Sequence, residues 1–482
     1  MPPKLLSLIV TVLHLAVLLP TGPPVVHAAT DFGTPIADFK LPDHLGAEHS
    51  LEDFRDSRLL VVVFLGTECP LAKLYSGRLQ ALADEYAEQG IAVVAIDSNR
   101  QDSLAEIAAF VRQHNLKYPV LKDRTNAVAD KFGAERTPHV FLLDASRRVR
   151  YQGRVDDQYV VGIVRDSPTR EDLRIAIDEL LAGELVSKSE TEPLGCIIGR
   201  MRETKDDSPV TYSRDIAPLL QSRCVECHRE GEIGPFELTS YDEAVGWGEM
   251  IAEVVRDRRM PPWHADPAHG KFANNRSMTD EEKQLIYQWV NNGCPEGDAA
   301  HLPEPRVYTT GWQLPREPDE VFSMPEPFTV PARAGPSGVP YQYIRVPTGF
   351  TEERWIAATE VQPGNRSVVH HTIVYVEPPG GRGRRDWILL SAYVPGLRYD
   401  SLPDSSAKRI PAGSTLIFEQ HYTPVGSVQQ DATSIGLLYA DEARIEQEVI
   451  TVEIVNAEFS IPPRVDHHSV TATSRPVEEH VT

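Results

Sequence analysis

Residues 59–70 read Leu-Leu-Val-Val-Val-Phe-Leu-Gly-Thr-Glu-Cys-Pro, seven apolar residues stopped by Gly66 and followed closely by a cysteine and a proline. A short apolar run without alternation suits a strand buried on both faces, as in a parallel sheet covered by helices. The pattern continues outward. Leu71, Leu74, Leu79, Leu82 and Tyr86 fall at helical spacing within residues 71–89, residues 91–96 form a second apolar run, and residues 103–114 again read as helix. Residues 139–144 and 148–153 read as a hairpin around Ala145-Ser146-Arg147. Strand, helix, strand and hairpin together predict an α/β sandwich over residues 30–187.

Cys69 closes the first strand and opens a helix. A thiol there is favoured as thiolate by the helix dipole and the unpaired N–H groups of the first turn. Thr137-Pro138 stands just before the hairpin. On these features residues 33–187 resemble the redoxin branch of the thioredoxin-like superfamily, which includes peroxiredoxins and thiol-specific antioxidant proteins. The resemblance implies a cis Pro138 facing a redox-active Cys69. The sequence departs from both familiar patterns. Ala72 stands where dithiol oxidoreductases carry their second cysteine, and Thr67 lies two residues before Cys69, where peroxiredoxins place a threonine three before. Cys196, in Leu194-Gly195-Cys196, is the candidate resolving thiol. The alternative is a plain structural disulfide or two buried thiols.

Length and charge bound the rest. At 482 residues the chain is expected to hold roughly three domains. Its 48 basic and 70 acidic residues give a formal charge of -22, which disfavours a nucleic-acid partner held through clustered Lys and Arg, and none is expected. Residues 1–29 carry Lys4, an apolar run from Leu5 to Leu19, the helix-breaking Gly22-Pro23-Pro24 and a small-residue site at Val26-His27-Ala28. That is the layout of a secretory signal peptide, so the protein is expected in the periplasm or outside the cell. No later segment is apolar enough to span a bilayer. Five cysteines in an exported chain are an odd number and so more than a disulfide framework.

Cys224-Val225-Glu226-Cys227-His228 is a C-x-x-C-H motif. Two thiols one turn apart can add to the two vinyl groups of a haem while the adjacent histidine reaches the iron. The competing readings are a CxxC redox pair and half a zinc site, and no second ligand pair follows at zinc spacing. Met250, Met260 and Met278 are the local candidates for the sixth ligand. Residues 242–259 look helical and carry Met250, whereas Met260 precedes Pro261-Pro262-Trp263, where a loop can turn its thioether to the iron. His264 or an open position are the alternatives to Met260. Residues 211–300, after a linker at 188–210, resemble a small all-α c-type cytochrome domain, which implies one covalent haem c. A Met/His pair would favour electron transfer over oxygen chemistry. Cys294 has no assignment from sequence.

Residues 301–340 contain nine prolines, so residues 301–318 are expected to be a semi-rigid connector. Short β-rich runs beyond 341 predict an all-β, jelly-roll-like domain over residues 319–482. His370-His371 lies in one strand-like run and His421 in another. Neighbours on a regular strand face opposite ways, so both can reach one metal only at a bulge or twist. Three neutral imidazoles suit copper or zinc, and three unrelated histidines are the alternative. Residues 319 to about 460 resemble the first copper jelly roll of the copper type II, ascorbate-dependent monooxygenases. That resemblance implies an electron-transfer copper on His370, His371 and His421. The family's second copper uses a His-x-His pair and a methionine, but no Met follows Met324 and no His-x-His follows His421. Either the sequence is a piece of a longer protein or the module keeps only its electron-transfer copper.

The expectation is therefore a multidomain oxidoreductase passing electrons between haem c and copper, with redox partner proteins and a small-molecule or peptide substrate. Two alternatives are a non-catalytic electron carrier or sensor whose β domain is a binding module, and a thiol peroxidase fused to a cytochrome.

Overall fold

A computed structural model describes residues 33–473, apart from 161–162, 166, 206, 273, 310, 335–337 and 398. The expected signal peptide lies outside the described residues.

The Leu59–Leu65 strand is the middle of a five-stranded sheet, parallel to Ile91–Asp97 and antiparallel to His139–Asp144. Val120–Lys122 and Val149–Gly153 are the outer strands, the first of them not anticipated from the sequence. All seven residues of the central strand are buried, which is why its apolar run has no alternation. Val61 and Val63 pack under the Pro70–Tyr86 and Leu104–His114 helices, while Val62 and Phe64 meet Phe132 and Phe141 on the other face.

Residues 188–201, read from the sequence as an irregular linker, are part of this unit. Thr191 Oγ1 sits 2.7 Å from Tyr151 Oη and accepts the Arg154 N–H at 3.0 Å. Cys196–Ile197 then forms a short strand paired with Arg136–Thr137. Cys196 and Ile198 are buried in the cores on either side, too short a run to show an apolar period.

From 212 to 301 the described residues form helices only: Ala217–Arg223, Tyr241–Gly246, Gly248–Arg256 and Asp280–Asn291, with shorter turns between. The expected helix over 242–259 is broken at Trp247, which is buried in the core with Phe236 stacked on it at 3.9 Å. Cys294 packs at 3% exposure against Gly248, where a Cβ would meet its sulfur at 2.8 Å.

The last unit is a β-sandwich. One sheet runs Glu320–Ser323, Ser434–Tyr439, Arg354–Gln362, Ser406–Ile410, Gln447–Glu448. The other runs Gln342–Pro347, Thr415–Tyr422, Val369–Glu377, Ile388–Tyr393. Phe322, Ile356, Val374, Leu416, Phe418 and Leu437 fill the space between them. The end of the proline-rich connector belongs here too, because the Gln313 and Leu314 N–H groups donate to Glu360 at 2.6 and 3.0 Å. Residues 450–473 contain no strand. Among the described residues no helix is long and apolar enough to cross a membrane.

Candidate functional site

Cys69 occupies the N-cap of the Pro70–Tyr86 helix and is fully buried. The turn before it is anchored by the Thr67 N–H, which donates to Asp102 Oδ2 at 2.9 Å. The Cys69 thiol donates to Thr137 O at 2.9 Å, and the Thr137–Pro138 bond is cis, as the redoxin resemblance implies. Cys196 pairs in register with that same Thr137. The crossing depends on Gly195, at φ +127°, where a Cβ would lie 2.0 Å from Thr137 O. Arg136 Nη1 holds the Gly195 carbonyl at 2.8 Å.

The two thiols are thus brought together, and both are free. Burial by itself would raise Cys69, but hydrogen bonds to its sulfur from the Cys196 thiol, the Thr137 side chain and the Ala72 backbone outweigh it and hold Cys69 below the ordinary thiol range. The hydrogen bond to Cys69, together with burial, pushes Cys196 up. Of the two thiols, Cys69 is held down and Cys196 is held up, the asymmetry that thiol–disulfide exchange uses. The Thr67 hydroxyl is buried without a hydrogen-bond partner. Glu68 is pushed up to about 7, first by burial and then by the charge of Asp102.

At the C-x-x-C-H motif the chain turns tightly, with Cys227 N–H on Cys224 O at 3.1 Å and His228 N–H on the same oxygen at 3.0 Å. His228 Nδ1 lies 3.0 Å from Phe236 O. A carbonyl oxygen only accepts, so Nδ1 carries the hydrogen and Nε2 keeps its lone pair for a metal. Burial lowers the His228 basicity and favours that neutral ring. Burial also raises both thiols, Cys224 to about 12. Cys224, Cys227 and His228 therefore fit a covalently held group with a metal at its centre. Met278 is 7% exposed in the core and Met250 packs against the same core cluster, whereas Met260 is 41% exposed.

The third cluster lies on the sandwich. His371 and His421 are register partners, and a bulge between Val369 and His371 brings His370 to their face. His370 Nδ1 and His371 Nδ1 are 3.1 Å apart, and the three residues offer ligand atoms within 4.8 Å of one another. His421 Nδ1 is buried without a partner. Burial first, then the neighbouring imidazoles, keeps His371 and His421 on the neutral, ligating side. Tyr341, not singled out from the sequence, stacks on His421 at 4.7 Å. Arg136 was missed as well. Its place directly before Thr137-Pro138 was the available signal.

Residues 32–152 match the AhpC/TSA family. The chain is 25% identical over 152 residues to the thiol-disulfide oxidoreductase ResA of Geobacillus thermodenitrificans, covering 32% of this chain and 79% of that protein. Among solved structures, a hypothetical protein of Sinorhizobium meliloti is 37% identical over 36% of this chain and 97% of its own, with a TM-score of 0.35. The peroxidoxin BcpB of Mycobacterium tuberculosis is 25% identical over 32% and 95%, with a TM-score of 0.25. The N-terminal unit is a redoxin domain of AhpC/TSA type.

Proposed function

We propose that the chain is an exported oxidoreductase in which a thiol pair, a covalent haem c and a mononuclear copper occupy three adjoining units. The observation that carries the thiol part is the contact of Cys69 with Cys196 beside the cis Pro138. In exchange with a substrate disulfide, the Cys69 thiolate attacks one sulfur and the other departs as a thiol, taking up a proton. Cys196 gives up its proton and attacks the mixed disulfide. The Cys69–Cys196 bond forms and the second substrate thiol leaves.

For the haem, Cys224 and Cys227 would carry the thioether links, His228 the fifth ligand and Met260 the sixth. Bound there, haem iron supplies one-electron chemistry. The protein's part is to hold the His228 ring through Phe236 O and to keep the motif dry against Phe236 and Trp247. His370, His371 and His421 would hold copper, which supplies a second one-electron centre. A monooxygenase-like oxidation of a small molecule or peptide extends this reading, and ascorbate- and oxygen-dependent product formation tests that extension.

The primary test is iron and copper per chain in protein matured in a cell that attaches haem c. One of each supports the reading. Iron without copper makes the sandwich a binding module on an electron carrier, and neither metal refutes it. Thiol peroxidase chemistry at Cys69 is the second reading, with Thr67 two residues before the cysteine rather than three. Peroxide consumption unchanged in Cys69→Ser removes that one.

A further inference from the structure

Glu253, on the Gly248–Arg256 helix, stands between the thiol pair and the Met260 loop. Both of its oxygens are used: Oε2 accepts from Arg136 Nη2 at 2.7 Å and Oε1 from Arg259 Nη2 at 2.6 Å. Arg136 lies on the strand paired with Cys196–Ile197 and also holds Gly195 O at 2.8 Å. Arg259 directly precedes Met260, and the N–H groups of the two residues donate to Val254 O at 2.8 and 3.1 Å. Hydrogen bonds thus run without a gap from the backbone beside Cys196 to the backbone beside Met260. The side chains of Arg136, Glu253 and Arg259 are 26%, 19% and 29% exposed, so solvent screens this link less than an open surface pair.

We propose that Glu253 is a positioning residue that couples the oxidation state of the Cys69–Cys196 pair to the Met260 loop, and through it to the sixth ligand of the iron. This rests on the haem reading above. Oxidation joins the two sulfurs and releases two protons and two electrons, which oxidised dithiothreitol takes up to become the dithiol. The new bond draws the sulfurs to about 2.05 Å, well inside hydrogen-bonding distance. Gly195 moves with Cys196, and Arg136, fixed to the Gly195 carbonyl, moves with it or lets go. Either response disturbs a carboxylate that also holds Arg259. Coupling between two sites is reciprocal, so it has two independent readouts.

The experiment uses the full-length holoprotein, with covalent haem verified first from its absorption spectrum. Iron midpoint potential is measured by spectroelectrochemistry with the thiols reduced and then as the disulfide. The expected result is a change of about fivefold or more in the iron equilibrium, about 40 mV for one electron. The near-infrared band of methionine-ligated ferric haem should change with it. The thiol–disulfide constant should change by the same factor between ferrous and ferric protein. Glu253→Gln and Arg259→Gln should each remove both shifts, while haem attachment and disulfide formation persist. A wild-type protein with haem but no shift overturns the coupling, and so does a shift that survives both variants. A protein without the haem spectrum overturns the haem reading and takes the coupling with it.

Discussion

Replacing Gly195 with alanine puts a methyl group where the Thr137 carbonyl oxygen presses on the chain. The new Cβ would stand 2.0 Å from that oxygen, on a backbone at φ +127°. Since real contacts of this kind stay above 3.0 Å, the Cys196 strand and the Arg136–Thr137 strand must separate by about 1 Å (3.0 − 2.0). Backbone strain at such a φ costs ~1–3 kcal/mol. In the dithiol form the segment sheds much of it by lifting off Thr137. In the disulfide form the sulfur–sulfur bond holds Cys196 down and the strain stays. The penalty therefore falls on the disulfide, as a decrease of ~5- to 150-fold in its equilibrium constant. The assay is equilibration in dithiothreitol buffers, acid quenching, and alkylation of the free thiols read by mass. A constant within twofold of the wild type, in a variant with unchanged circular dichroism, would refute the reasoning. It would mean that Cys196 reaches Cys69 without this crossing.

Three further outcomes are expected. The double variant Cys224→Ser/Cys227→Ser should lose both thioether links, read as haem that strips from the chain in acidified organic solvent; full retention would count against the C-x-x-C-H reading. His421→Ala should weaken copper binding by at least ~100-fold in calorimetric titration of metal-free protein, since loss of a ligand should cost at least as much as loss of a group supporting one. Unchanged affinity would leave the three histidines as packing. Glu68→Gln should flatten a pH dependence. The folded state holds the Glu68 proton up to about 7 against an ordinary 4.5, so stability falls as pH rises through that window. Urea midpoints at pH 5 and pH 8 should therefore differ less in the variant.

Local chemistry was legible in the sequence where it depends on neighbours in the chain. The all-buried strand at 59–65, the helix starting beside Cys69, and the need for a bulge at His370-His371 were each readable from residue type and period. The helix break at Trp247 was not, because it arises from a ring packing into a core assembled from distant segments. The strand at 196–197 was invisible for a related reason. Two residues carry no periodicity, and what fixes them is the partner edge at Arg136–Thr137. Glu253 reads as a surface carboxylate on an amphipathic helix, and only the fold brings Arg136 to it.

The apolar core under Cys69 does not end where the α/β unit ends. Val63, Cys69 and Cys196 belong to the same buried cluster as Ile216, Trp247 and Trp289, while the sandwich keeps a core of its own. The first two units should therefore melt in one cooperative transition, with the sandwich free to melt in another. A protease nick between them should leave two fragments that stay associated, each covering the other's apolar face. A module lifted out by recombination would carry that face into water. The thiol unit and the C-x-x-C-H unit thus share one core.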